Sequence, residues 1–119
     1  MIVLFNPRST TPGKQPLPLS LLSLAAVLET RQPPEPWVLV DGNLVPDPAA
    51  AISEHVSREA PGNVLLIAVT VMPGPQLTQA VEVCRRLKAS APHVPVLWGG
   101  YFPTQHADTV LRSDRKSVV

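Results

Sequence analysis

The chain has 119 residues, enough for about one domain at the usual size of roughly 100–150 residues. Ten Lys and Arg stand against nine Asp and Glu, and charged residues make up only 16% of the chain. That balance argues against a nucleic-acid footprint, which needs a clustered basic excess, and points to a surface partly covered by something other than solvent. One cysteine rules out a disulfide framework, a zinc ribbon and an all-cysteine iron–sulfur site within these residues. Fifteen prolines and six glycines, about 18% of the chain, fall short of the roughly 25–30% of disordered sequences. No apolar stretch reaches the ~18–20 residues of a membrane span. The opening Met1-Ile-Val-Leu-Phe5 has no basic segment before it and is not a signal peptide, so a soluble cytoplasmic domain is expected.

In chain order, four short apolar runs stand out: Ile2–Phe5, Trp37–Val40, Val64–Val71 and Val94–Trp98. They are continuous rather than alternating, as parallel strands buried on both faces are. Between them lie helical periods. Leu17, Leu21, Leu24, Ala25 and Leu28 form the first stripe, with Pro18 in the first turn. Pro48 opens a weaker one carrying Ala49, Ile52 and Val56. Pro75 opens the third, where Leu77, Ala80, Val81, Cys84 and Leu87 share a face opposite Gln79, Glu82, Arg85 and Arg86. It must stop before Pro92. A short fourth helix is predicted with Thr104 as N-cap, carrying Ala107, Val110 and Leu111. Strand starts recur about every 30 residues, the length of βαβ units, so the predicted fold is a doubly wound parallel α/β sandwich, flavodoxin-like or Rossmann-like.

Four strands are expected within the chain and the fifth outside it. The expected domain runs over 1–112. Residues 113–119 change character abruptly, and Asp114–Val119 matches one reading frame of a common sequencing-adapter oligonucleotide. The expectation is an amino-terminal fragment of a longer protein with a non-native tail.

Ligands of open parallel sheets bind beyond the carboxyl ends of the strands, where strand order reverses. Three predicted loops qualify. The first, Asn6–Pro16, begins with Asn6 and Pro7 and is polar, but Gly13-Lys14-Gln15 is not a P-loop, and no G-x-G-x-x-G occurs. In the second, Thr70–Gly74, Thr70 either offers its hydroxyl to a ligand or caps the third helix. Val71 follows, and Met72 is either an adaptable ligand contact or a core-edge residue. In the third, Gly99–Thr104, the glycine pair either lets a bulky ligand approach the backbone or makes a tight turn at positive φ. The first alternative is preferred there, because Tyr101, Phe102 and Thr104 follow at once with apolar surface and a hydroxyl. Asp41, in Asp41-Gly-Asn43, reads as a turn residue before a ribose ligand. His55, His93 and His106 neighbour no second His or Cys at metal-ligand spacing, and Cys84 reads as a small buried hydrophobe. No catalytic triad or carboxylate pair follows from spacing.

Four segments carry a resemblance. Pro18-Leu-Ser-Leu-Leu-Ser-Leu-Ala-Ala-Val-Leu28 resembles a P-x-G-L-x-x-L-A-A-x-L helix, and Val40-Asp-Gly-Asn43 and Ala68-Val-Thr-Val-Met72 resemble the ends of a second and a third strand. Lys88-Ala-Ser-Ala-Pro-His-Val-Pro-Val-Leu-Trp-Gly-Gly-Tyr-Phe-Pro-Thr104 resembles K-x-x-x-P-x-x-P-V-V-x-G-G-x-H-P-T. Together, over Ile2 to Leu111, they resemble the cobalamin-binding domain of B12-dependent radical S-adenosylmethionine enzymes. The resemblance implies a corrin over the carboxyl edge, its nucleotide tail near Thr70 and Gly99-Gly100. Asn6, Pro7, Val71, Met72, Tyr101, Phe102 and Thr104 complete the candidate cofactor contacts. It also implies a barrel domain in cis, carrying S-adenosylmethionine and a [4Fe-4S] cluster on a Cys-x-x-x-Cys-x-x-Cys motif that these residues lack. Three departures stand out. The first loop has no His to replace cobalt's lower base, Phe102 stands where a His often precedes Pro-Thr, and Ser20 replaces the helix glycine.

The alternative is a cofactor-free flavodoxin-like interaction or signalling module. A receiver wants acids after strand one and an Asp ending strand three; Asn6-Pro7 and Thr70-Val71 stand there instead.

Overall fold

The computed structural model describes residues 1–9 and 16–113, and the backbone of 117–118. Most of the first loop and most of the expected tail therefore lie outside the described residues. Four parallel strands, β1 (Ile2–Asn6), β2 (Trp37–Asp41), β3 (Leu66–Thr70) and β4 (Val96–Gly99), lie in the order β2-β1-β3-β4. They alternate with α1 (Leu19–Thr30), α2 (Pro48–Arg58) and α3 (Pro75–Ser90), giving the doubly wound α/β sheet that the apolar runs predict. Within the sheet, the departure is the fifth strand, expected outside the chain. Ser117 and Val118 form a two-residue β5 beside β4, opposite Val96 and Leu97. A crossover through α4 (Tyr101–Gln105) and α5 (Ala107–Ser113) brings the chain back to the free edge of β4, and unpaired edge groups accept even two residues.

Alternation along each strand sorts the core. Val3, Phe5, Ile67, Val69, Val96 and Trp98 meet Ala49 and Ile52 of α2, Ala80, Val83, Cys84 and Leu87 of α3, and Val110 of α5. The opposite face is thinner: Leu4 and Ala68 meet Leu21 and Ala25 of α1, with Ile2, Trp37, Leu39 and Leu66 half-buried around them. Fully burying one such large apolar side chain contributes about 1.5–3 kcal/mol, so the α2–α3 face carries most of the stability. Cys84 is buried, as its helical position predicts, and its sulfur accepts the Trp98 indole N–H at 3.4 Å.

Local chemistry explains the helix starts. Pro48 and Pro75 sit in first turns, where a missing N–H costs nothing. Asp47 caps α2 by accepting from the Ala50 N–H at 3.1 Å. Arg86 of α3 donates to both Asp47 carboxylate oxygens, at 2.8 and 3.2 Å, clamping the two helices. The Arg86 hydrogen bond, then that of the Ala50 N–H, holds the Asp47 carboxyl below its ordinary range. The fourth helix corrects its prediction: it starts at Tyr101, and Thr104 lies inside it, its hydroxyl donating to the Gly100 carbonyl at 2.7 Å. Gly100, at φ 110°, turns the chain from strand into helix with no spacer.

Candidate functional site

The ladder levels the carboxyl ends of the strands: Asn6 pairs with Asp41, Phe5 with Val69, and Thr70 with Gly99. From β1 the chain steps outward to β2, then returns across β1 to β3. The strand order thus reverses between β1 and β3, where open α/β sheets hold ligands.

Three polar side chains, each only 6% exposed, tie this edge together: Asn6, Asp41 and Gln76. Asn6 Nδ2 donates to Asp41 Oδ1 at 3.1 Å, and Gln76 Nε2 donates to Asn6 Oδ1 at 3.1 Å and to the Pro7 carbonyl at 3.0 Å. Gln76 Oε1 accepts from the Met72 N–H at 3.1 Å. Asp41 Oδ1 also accepts from the Asn43 backbone and side-chain amides at 2.9 and 3.1 Å, which makes the β2 end an Asx turn. One chain of hydrogen bonds therefore ties together the residues that leave β1, β2 and β3, and buried polar groups so satisfied hold those strand ends rigidly. Gly42 has the same tightness, since a Cβ there would run into Gln79, Arg8 and the Asn6 carbonyl.

A cleft of about 450 Å³ opens at this edge between α1 and the sheet. Asn6, Thr70, Met72, Gln76 and Gly100 line one side, Leu17, Leu19 and Ser20 the other, and none of its described lining residues is charged. A second, apolar cavity of about 150 Å³ runs under α1 along β3 and β4, lined by Leu21, Leu24, Ala68, Leu97 and Gly99. Both cavities share Ser20, Thr70 and Gly100. A further cavity of about 400 Å³, with Ser53, Glu59, Ser90 and His93, lies at the far edge, by the carboxyl ends of α2 and α3. It lies away from the strand carboxyl ends and the order reversal.

The candidate residues divide clearly. Asn6, Thr70, Met72, Gly99 and Gly100 line the two cavities. The Thr70 hydroxyl makes no hydrogen bond to the described residues, and α3 is capped by Gly74 rather than by it. The two glycine readings split between the pair: Gly100 needs its positive φ for the turn, whereas a Cβ on Gly99 would meet nothing within 4 Å. Pro7 and Val71 are buried, and each contributes backbone only, Pro7 its carbonyl to Gln76 and Val71 its N–H to the Gly99 carbonyl at 3.0 Å. Tyr101 is exposed outside both cavities. Phe102 packs on the core beside His106, with ring centroids 4.9 Å apart, and Thr104 bonds within its helix. Sequence reasoning missed Gln76 and left Ser20 as a mere departure. A polar residue in the first turn of a helix that starts at the strand edge was the available signal for each.

Among the described residues no group of three His, Cys, Asp or Glu could hold a metal ion, and no helix is long and apolar enough to cross a membrane. Compared with known proteins, the chain matches no family model, no curated protein and no solved structure.

Proposed function

We propose that the carboxyl edge of the sheet binds cobalamin, as the amino-terminal domain of a cytoplasmic radical S-adenosylmethionine enzyme. One observation carries the reading: at Gly99-Gly100 the rim stands open, with the uncharged cleft and the apolar cavity meeting at Ser20, Thr70 and Gly100. The residues present fit the group. Gly99 leaves space for the edge of a macrocycle. Met72 and Leu19, both well exposed, offer apolar surface to its flat face. The apolar cavity, between Leu21, Leu24, Ala68 and Leu97, would take part of an aromatic base. A free Thr70 hydroxyl beside it would hydrogen-bond the tail. With no His in the first loop, this chain leaves the lower face of cobalt to other groups. Bound cobalamin would supply methyl transfer or auxiliary redox chemistry; these residues bind and orient it.

The residues do not fit a [4Fe-4S] cluster or S-adenosylmethionine: there is a single Cys, and it is buried in the core. Those groups belong, on this proposal, to a barrel domain outside these residues.

A second reading, a cofactor-free interaction module, is favoured by α1. Leu19 and Val27 are 65% and 61% exposed, and Leu22 and Leu24 are also exposed. Gel filtration after mixing with hydroxocobalamin separates the two. Coloured corrinoid eluting with the protein supports the proposal, and colourless protein favours the interaction module.

A further inference from the structure

We infer that the outward face of α1 is the contact through which two copies of this chain pair about a two-fold axis, helix against antiparallel helix. The inference goes beyond the cobalamin reading and holds whether or not a corrinoid binds.

A surface helix ordinarily turns a charged face to water, and a helix apolar all round is one that is covered. α1 carries no charged residue from Leu19 to Leu28. Its inward stripe, Leu21 and Ala25, lies on the sheet. Helical period puts Ser23, Ala26 and Thr30 on the opposite face, flanked by Leu22 on one side and Val27 on the other, and all five are exposed. Both hydroxyls on this face already have an acceptor: Ser23 donates to the Leu19 carbonyl at 2.9 Å and Thr30 to the Val27 carbonyl at 2.8 Å. Covering the face therefore strands no hydroxyl proton. The nearest carboxylate, Glu29, accepts from the Trp37 indole N–H at 3.2 Å, which holds it toward β2.

Two features select a second copy as the occupant. The first is shape. Along the face the order is large, small, small, large: Leu22, Ser23, Ala26, Val27. That order is the same from either end, and a two-fold contact needs a patch that fits itself. With two α1 helices antiparallel and the axis level with the middle of the run, Leu22 lies over the partner's Ala26 and Val27 over the partner's Ser23. Small residues opposite large ones let the helices approach closely. The second feature is charge. A patch that meets itself doubles any charge it bears, and this one bears none to repel. A helix lying on a membrane would instead carry Lys or Arg on a polar face, and α1 has neither. Leu19 and Leu24 line the cleft and the apolar cavity, so the contact is centred a turn away from the rim. One helix pair buries less than the roughly 1,600 Å² of a standard interface, so the dimer is weak and depends on concentration.

Sedimentation velocity of the 119-residue chain from about 5 to about 500 μM tests the pairing. The average mass should rise from monomer toward dimer over that range. Ala26→Glu keeps a good helix former in place, so circular dichroism should be unchanged, and it sets two carboxylates beside the axis. Its dimer dissociation constant should rise at least about tenfold. Ala26→Lys should do the same alone. Mixing the two variants should restore association, because the two-fold axis brings position 26 near its own symmetry mate. Leu44→Glu, which charges a comparably exposed residue in the turn after β2, should leave the dimer intact. A wild type that stays monomeric at every concentration overturns the inference. So does a dimer that survives both Ala26 variants, one lost equally in Leu44→Glu, or a mixture of Ala26→Glu and Ala26→Lys that fails to associate. Co-sedimentation of monomeric wild type with phosphatidylcholine vesicles would make α1 a lipid-facing helix and overturns it too. None of these outcomes bears on corrinoid uptake, which the hydroxocobalamin experiment reads separately.

Discussion

Replacing Gln76 with Leu nearly conserves volume and removes three hydrogen bonds at once. Two of its partners, Asn6 Oδ1 and the Pro7 carbonyl, are buried; the third, the Met72 N–H, sits at the rim, where Met72 is 45% exposed and water can substitute. Each buried acceptor left unsatisfied costs about 1–3 kcal/mol. Gln76 also lines the cleft, so water can partly reach the gap, and the leucine gains some apolar contact. The net loss should be about 1–3 kcal/mol, a substantial share of the roughly 5–15 kcal/mol that holds a domain together. In thermal unfolding followed by circular dichroism, that corresponds to a fall of about 4 °C per kcal/mol. Gln76→Glu sharpens the test. Its carboxylate would face Asn6 Oδ1 and the Pro7 carbonyl without a proton to donate. The charged form is disfavoured in the folded state, so its folded pKa lies above the unfolded one. The variant's deficit should therefore be full at neutral pH and shrink as pH falls through that raised value. A Gln76→Leu loss below about 0.5 kcal/mol, the range of inconsequential surface changes, would refute the view that this network holds the rim.

Two further outcomes follow from local geometry. Gly100→Ala should cost about 1–3 kcal/mol, because φ is 110° and its Cβ would lie 3.2 Å from the Val71 carbonyl, whereas Gly99→Ala should change stability by less than about 1 kcal/mol; equal losses in urea unfolding would contradict the division of roles between the two glycines. The Asp47 carboxyl, held low chiefly by Arg86, contributes stability that is present above the unfolded value of about 3.9 and lost as pH falls through the lower folded value, so Asp47→Asn, which can still cap α2, should flatten the acid limb of a stability–pH profile below about pH 4; an unchanged slope would show that the clamp is inert.

The continuous Val-rich runs announced parallel strands because a strand covered on both faces needs no polar alternation, and the prolines at 18, 48 and 75 marked helix starts because their missing N–H is harmless there. The edge of the sheet was half legible. Gly99-Gly100 pointed to it, but nothing in two identical residues tells which one needs positive φ and which leaves open space. Phe102 and Thr104 misled because their neighbourhood in sequence suggested a shared face, while an immediate helix start swings Phe102 onto the core and turns the Thr104 hydroxyl back on its own backbone. Gln76 was legible only as a polar residue in a helix's first turn: two of its three partners lie about 70 positions away, and only the sheet register brings them to it.

The most direct measurement is absorbance titration of hydroxocobalamin into wild type and Gly99→Leu. Its Cβ has free space, so the leucine should leave the sheet folded while filling the rim. Saturable binding by wild type, weakened at least about tenfold in the folded variant, is the expected result, since a side chain occupying the cofactor's place must be displaced or excluded. Equal affinity in the two proteins, or no corrinoid taken up by wild type, would contradict a cobalamin site at this rim.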